Sequence, residues 1–160
     1  MKNILIVISI IFSVIINTQA QEVKVNSADV ATWLKNYRGM MNESKNIDYE
    51  YQGDFKSAKP TDILASIKSN QQAYAIAKKY GFDNTEAITK MMRITYIYMS
   101  LRMEEELKNI PEEYQAVTRQ QLKSIYGEMN FSDKEVVAVK DKYLDIDALM
   151  KEQEENGDDY

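Results

Sequence analysis

Residues 83–108, DNTEAITKMMRITYIYMSLRMEEELK, decide the fold, because their spacing predicts one long helix that is apolar on most sides. One stripe along this helix is rich in methionine and consists of Ile88, Met91, Met92, Thr95, Met99 and Met103. A second stripe consists of Ala87, Ile94, Ile97, Tyr98 and Leu101. The remaining polar sector is narrow and holds Thr89, Arg93, Ser100 and Glu104. A helix of this kind is buried by neighbours on several sides, so we predict that it is the central helix of the domain.

The two ends of this helix carry their own signals. Asp83 is predicted to be the N-cap, and Glu86 three residues later completes a capping box. Pro111 follows the helix, and a proline disfavours helical backbone at the residue before it, so the helix is predicted to end near Lys108.

Two amphipathic segments precede the central helix. The first helix is predicted to begin after Ser27 as its N-cap, and the second to run from Pro60 to Gly81. The apolar stripe of the second segment shifts partway along it. This shift indicates a kink or a restart, with Asn70 as a new N-cap.

Two further helices are predicted after the central one. Pro111 opens the fourth helix and Gly127 stops it, and its apolar face consists of Tyr114, Val117, Leu122 and Ile125. Ser132 and Glu135 form a capping box at the start of the fifth helix. The chain has only five glycines and two prolines, which favours long helices over a fold with many turns. We therefore predict an all-α domain over residues 21–150, a single bundle of about five helices, followed by a flexible acidic tail over residues 151–160.

The fifth helix has an apolar face with coiled-coil spacing. Its members are separated by three and four residues in turn, and they are Val136, Val139, Tyr143, Ile146 and Met150. This pattern predicts either packing inside the bundle or the contact surface of a homodimer, because it extends over only two heptads.

A short extended segment is predicted between the first and second helices, over residues 47–55. Ile47, Tyr49 and Tyr51 alternate with Asp48 and Glu50, as in a short strand. One interpretation is a recognition strand that adds to the edge of a partner's sheet. The other is a loop whose tyrosines hold it against the helices.

The first 20 residues have the features of a bacterial secretory signal peptide. Lys2 precedes an apolar run of thirteen residues, and Ala20 occupies the expected cleavage position. As a helix that run is about 20 Å long, which is short of the ~30 Å hydrocarbon core of a membrane. We expect cleavage after Ala20, no stable membrane anchor thereafter, and a periplasmic or extracellular location. The alternative is an uncleaved anchor.

The composition excludes several kinds of chemistry. The chain has no histidine and no cysteine, so thiolate or imidazole zinc sites, cysteine nucleophiles and Ser-His-Asp triads are excluded. Its net charge of −5 argues against binding nucleic acid through electrostatic attraction. We predict no catalytic residue, no metal site and no cofactor.

Methionine and tyrosine supply the candidate binding residues. The chain has nine methionines and eleven tyrosines, and both residue types make adaptable contact surfaces. The candidates are Met92, Met99, Met103 and Tyr98 on the central helix, and Tyr49 and Tyr51 in the extended segment. We therefore expect an exported, non-enzymatic module that binds a protein or peptide. The alternatives are a carrier of a small apolar ligand or of Cu(I), which thioethers bind, and a carboxylate-dependent hydrolase.

Overall fold

The computed structural model describes residues 23–45, 47, 49, 59–126 and 131–155, with the side chains of 121–126 and 153–155 excepted. The described residues form helices and no strand, which confirms the all-α class. The helices are α1 (Ser27–Ser44), α2 (Pro60–Ser69), α3 (Gln71–Lys79), α4 (Thr85–Leu107), α5 (Glu112–Tyr126), α6 (Asp133–Lys140) and α7 (Tyr143–Glu155). The predicted signal peptide, Tyr51 and residues 156–160 lie outside the described residues. None of the helices described is both long and apolar enough to cross a membrane.

Asparagines cap the first and the longest helix, each one residue away from the predicted cap. The Asn26 side chain accepts hydrogen bonds from the backbone N–H groups of Ala28 and Asp29, so Asn26, and not Ser27, is the N-cap of α1. At the start of α4, the Asn84 side chain accepts from the backbone N–H of Ala87 at 2.9 Å. The predicted cap Asp83 is therefore wrong by one residue, because its neighbour makes the capping bond.

The predicted second helix is two helices, as the shift of its apolar stripe indicated. Asn70 ends α2 and caps α3, where its side chain accepts from the backbone N–H of Ala73 at 3.0 Å. At the other end of α3, Gly81 has a φ of +78°, and Phe82 N–H donates to the carbonyl of Ala77 at 2.8 Å. This Schellman motif turns the chain sharply into α4.

The predicted fifth helix is also divided, at Asp141 and Lys142, into α6 and α7. Its start is as predicted, with a capping box between Ser132 and Glu135. The apolar face lies against the core of the same chain: Val139, Ile146 and Met150 are buried, and Val136 and Tyr143 are partly buried. Homodimer formation through this face stays a prediction. Helix α7 continues past the expected end at Met150 as far as Glu155.

The core surrounds the first half of α4. From Ile88 to Tyr98 every residue except Lys90 is buried, and α4 packs against α1, α2, α6 and α7. The predicted polar sector is wrong for Thr89 and Arg93, which are each only 3% exposed. The Thr89 hydroxyl donates a hydrogen bond to the carbonyl of Thr85, and Arg93 forms an ion pair with Glu135 on α6.

Helix α5 differs from the other helices in its packing. Tyr114 and Val117, on its predicted buried face, are 58% and 55% exposed. Contacts between α5 and the other described helices are sparse, which explains this exposure. An ion pair at the surface joins it to α4, with 2.8 Å between Arg119 Nη2 and Glu104 Oε2.

Candidate functional site

A groove of about 370 Å³ lies between α1 and α4 and is lined in part by the turn that joins α3 to α4. We call it the α1/α4 groove. The residues that α1 contributes are Ala28, Asp29, Thr32, Trp33 and Asn36. The first three turns of α4 contribute Glu86, Ala87, Lys90, Met91 and Ile94, and the turn between α3 and α4 contributes Tyr80, Gly81 and Phe82. The two N-cap residues Asn26 and Asn84 complete the lining.

The helical repeat explains why these residues share one groove. The α1 set recurs at positions i, i+3, i+4 and i+7, starting from Asp29, and α4 repeats this spacing from Ala87. Residues at this spacing lie on one face of a helix, so two such faces line one groove. Trp33, Met91 and Ile94 are buried and give the groove an apolar floor, whereas most of its polar residues retain exposure.

One ammonium group links two carboxylates at the rim of the groove. Lys90 Nζ lies 2.8 Å from Glu86 Oε1 and 3.0 Å from Asp29 Oδ1, so it joins the first turns of α4 and α1. Hydrogen bonds to Glu86 and to Asp29 raise the pKa of Lys90 above its usual value. Asp29 also accepts from the backbone N–H of Asn26 through its other oxygen. With two carboxylates and one ammonium, the lining of the groove is net negative.

Trp33 carries a buried donor that lacks an acceptor. Its side chain is 3% exposed and stacks on Tyr37, with 4.7 Å between the ring centroids. Among the described residues, nothing accepts a hydrogen bond from its Nε1. A buried polar group in this state costs about 1–3 kcal/mol. Because Nε1 has no exposed surface, a ligand cannot reach this donor in this conformation.

Tyr80, which also lines the groove, is held in place from two sides. Its hydroxyl donates to Glu43 Oε1 at 2.7 Å, and this hydrogen bond raises the pKa of Tyr80. Lys79 forms an ion pair with the same carboxylate. On the other side, Gly39 brings the α1 backbone against the ring, since a Cβ at that position would lie 2.9 Å from Tyr80 Cζ. The position of the Tyr80 ring, on one side of the groove, is therefore fixed by contacts within the protein and does not depend on a ligand.

The predicted binding residues lie elsewhere, and the structure does not bring them together. Met92 and Tyr98 are buried, and the Tyr98 hydroxyl donates to Asp147 Oδ1 at 2.8 Å. Neither side chain is accessible to a partner in this conformation. Met99 and Met103 are partly exposed and remain available.

The structure describes the extended segment only in part. Tyr49 is hydrogen-bonded to Ser66 Oγ at 2.7 Å, which anchors it to α2 as the loop interpretation expects. Tyr51 lies outside the described residues.

The residues that line the groove had a signal in the sequence. The sequence-based candidates for binding do not include Trp33, Asn36 or Lys90. Within each helix, the groove residues have the spacing of one helical face. Which stripes face each other is decided by the tertiary fold, and one helix considered alone cannot show it.

The groove has no arrangement typical of a catalytic or metal centre. In the part of the chain that the structure describes, no three acidic residues lie close enough together to hold a metal ion. The two carboxylates in the groove are both paired with Lys90. What the groove offers is an apolar floor with donors and charged groups around it, an arrangement typical of ligand recognition.

Comparison with known proteins identifies no relative. The chain matches no protein-family model, and neither the curated proteins nor the solved structures include a significant match.

Proposed function

We propose that this chain is an exported, non-enzymatic protein that binds a peptide segment of another protein in the α1/α4 groove. The observation that carries the proposal is the α1/α4 groove itself, which has the size of a ligand pocket and surrounds an apolar floor with polar and charged side chains. Ligand pockets typically have volumes of about 300–1,000 Å³. In this proposal α4 is the centre of the helical bundle, and residues 1–20 direct export.

A peptide suits both the polar and the apolar parts of this lining. The amide of Asn36 on α1 offers both donor and acceptor and can pair with a peptide group in both directions. The floor around Met91 and Ile94 accepts an apolar side chain. A small apolar ligand fits less well, because it would cover polar residues of the lining that are at least partly exposed, such as Thr32 and Asn36, without offering them hydrogen bonds.

The test begins with the exported protein. The full chain is expressed in a bacterium and purified from the periplasmic fraction, where its intact mass shows whether cleavage follows Ala20. A phage library of random dodecapeptides is selected against it, and enriched peptides are synthesised. Trp33 is the only tryptophan in the chain, so its fluorescence reports directly on the groove.

Two neighbouring substitutions on α1 separate groove binding from binding elsewhere. Thr32 and Ala31 are both exposed, but only Thr32 lines the groove. We expect Thr32→Arg to obstruct the groove and weaken peptide binding by about tenfold or more, and Ala31→Arg to leave it unchanged. Selection that enriches no peptide, or enriched peptides that bind Thr32→Arg as tightly as the original protein, would overturn the proposal.

A further inference from the structure

We infer that the α1/α4 groove selects peptides with a basic side chain, lysine or arginine, whose charged group lies against the carboxylates of Glu86 and Asp29. This inference rests on the proposed peptide-binding function and names the class of ligand. It adds a preference for charge, which peptide binding alone does not require.

The pair of carboxylates already binds one ammonium group. Asp29 and Glu86 come from the first turns of two different helices, and both contact Lys90 Nζ within 3.0 Å. Lys90 contacts one oxygen of each carboxylate. The side chain of Glu86 is 65% exposed, and among the described residues its ion pair with Lys90 is made through Oε1, which leaves Oε2 without a described partner. A cationic group of a ligand can therefore bind Glu86 without displacing Lys90.

The charge of the groove and its apolar floor point to the same ligand. The groove lining contains two carboxylates against one ammonium, and the whole chain has a net charge of −5, so the field attracts cations and repels acidic peptides. The floor formed by Trp33, Met91 and Ile94 lies in the same groove, so it can pack against the aliphatic part of a lysine or arginine side chain while the charged end lies against the carboxylates. A free metal ion has no aliphatic part, and an apolar molecule has no charge.

The test uses four pools of acetylated and amidated heptapeptides, random at all positions except the centre. The central residue is lysine, arginine, norleucine or glutamate, and blocked ends remove any contribution from a terminal amine. Binding to the exported protein is followed by Trp33 fluorescence and by affinity selection with mass spectrometry. We expect the lysine and arginine pools to bind about three- to tenfold more tightly than the norleucine pool, and the glutamate pool to bind most weakly.

A matched pair of protein variants assigns the preference to the groove. Glu86→Gln removes one carboxylate of the groove, whereas Glu113→Gln removes an exposed carboxylate on α5. Circular dichroism checks that both variants are folded. We expect Glu86→Gln to reduce the advantage of the basic pools and Glu113→Gln to preserve it. Raising the salt concentration should reduce the advantage as well, since exposed charges are screened.

The possible failures are distinguishable. If all four pools bind equally and Thr32→Arg still abolishes binding, the charge preference is wrong and the peptide-binding function stands. A preference for basic pools that is equal in Glu86→Gln and the original protein also overturns the inference. If neither the pools nor the phage library yields a peptide that binds, the inference and the proposed function fail together.

Discussion

Arg93 on α4 and Glu135 on α6 form an ion pair inside the core, with 2.7 Å between Arg93 Nη2 and Glu135 Oε1. Their side chains are 3% and 2% exposed. The backbone N–H of Val25, in the segment before α1, donates to the same carboxylate, as do the N–H and the hydroxyl of Ser132. The Arg93 guanidinium also lies over the ring of Phe131. One carboxylate thus joins the N-terminal segment, α4 and the start of α6.

Removal of this carboxylate should destabilise the protein severely. Glu135→Ala leaves a buried arginine without its carboxylate and the Val25 N–H without its acceptor, so we expect a loss of about 3–5 kcal/mol in the free energy of unfolding. Arg93→Met should be less damaging, because Glu135 keeps three donors from Val25 and Ser132. Urea denaturation of both variants measures the difference, with Glu113→Ala as an exposed control. If Glu135→Ala unfolds at the urea midpoint of the control, this ion pair is not buried as described.

The same carboxylate predicts how stability depends on pH. Burial by itself would raise the pKa of Glu135, but hydrogen bonds from Ser132, Arg93 and Val25 outweigh it and lower the pKa below its usual value. An unfolded glutamate has a pKa of about 4.3, so the stabilisation is complete above that pH and is lost as the pH falls through the lower folded value.

Comparison with Glu135→Gln isolates this contribution. Other carboxylates with a lowered pKa, such as Asp147 and Glu104, are the same in both proteins, so their effects cancel in the difference. We expect urea midpoints measured between about pH 7 and pH 3 to converge as the pH falls below ~4. A difference that stays constant over this range would mean that the folded and unfolded pKa values of Glu135 are equal.

The sequence predicted much of the fold because its signals are local. The restart at Asn70 and the capping box of Ser132 and Glu135 involve residues only three positions apart, and both are confirmed. The burial of Arg93 depends on a partner 42 residues away in the chain. A helical wheel shows only the residues of its own helix, so it assigned this arginine to the exposed side.

The candidate site could not be located from the sequence, for a related reason. Trp33 and Lys90 line one groove only because α1 and α4 pack face to face. Met92 and Tyr98 were predicted to be binding residues because methionine and tyrosine make adaptable contacts. Residue type alone cannot distinguish a methionine in the core from one at the surface, and in this fold both selected residues are buried.

Because the first half of α4 is buried, we expect a charged side chain to be tolerated only in the second half of this helix. Ile94 is 1% exposed, so Ile94→Asp places an unpaired carboxylate in the core and should unfold the domain. Met103, nine residues further along the same helix, is partly exposed, and Met103→Asp should lower the stability only slightly. Far-UV circular dichroism and thermal melting of the two variants provide the comparison. A normal melting temperature for Ile94→Asp would contradict the burial of this half of α4.

Because Gly39 lies against the Tyr80 ring, we expect the substitution Gly39→Ala to have an unusual effect on stability. In the interior of a helix, replacing glycine with alanine normally stabilises the folded protein by about 1 kcal/mol. At Gly39 the new methyl group would lie 2.9 Å from Tyr80 Cζ, so the ring must move and its hydrogen bond to Glu43 is strained or lost. We expect Gly39→Ala to destabilise the protein by about 1 kcal/mol, in the lower part of the range for overpacking.

A double-mutant cycle shows whether the Tyr80 ring is the cause. Tyr80→Ala removes the ring, and in that background Gly39→Ala should recover the normal gain of about 1 kcal/mol. The sign of the Gly39→Ala effect therefore reverses between the two backgrounds, and urea denaturation of the four proteins measures it. If Gly39→Ala stabilises equally with and without the tyrosine, α1 does not approach Tyr80 as closely as described. The groove would then be wider on that side.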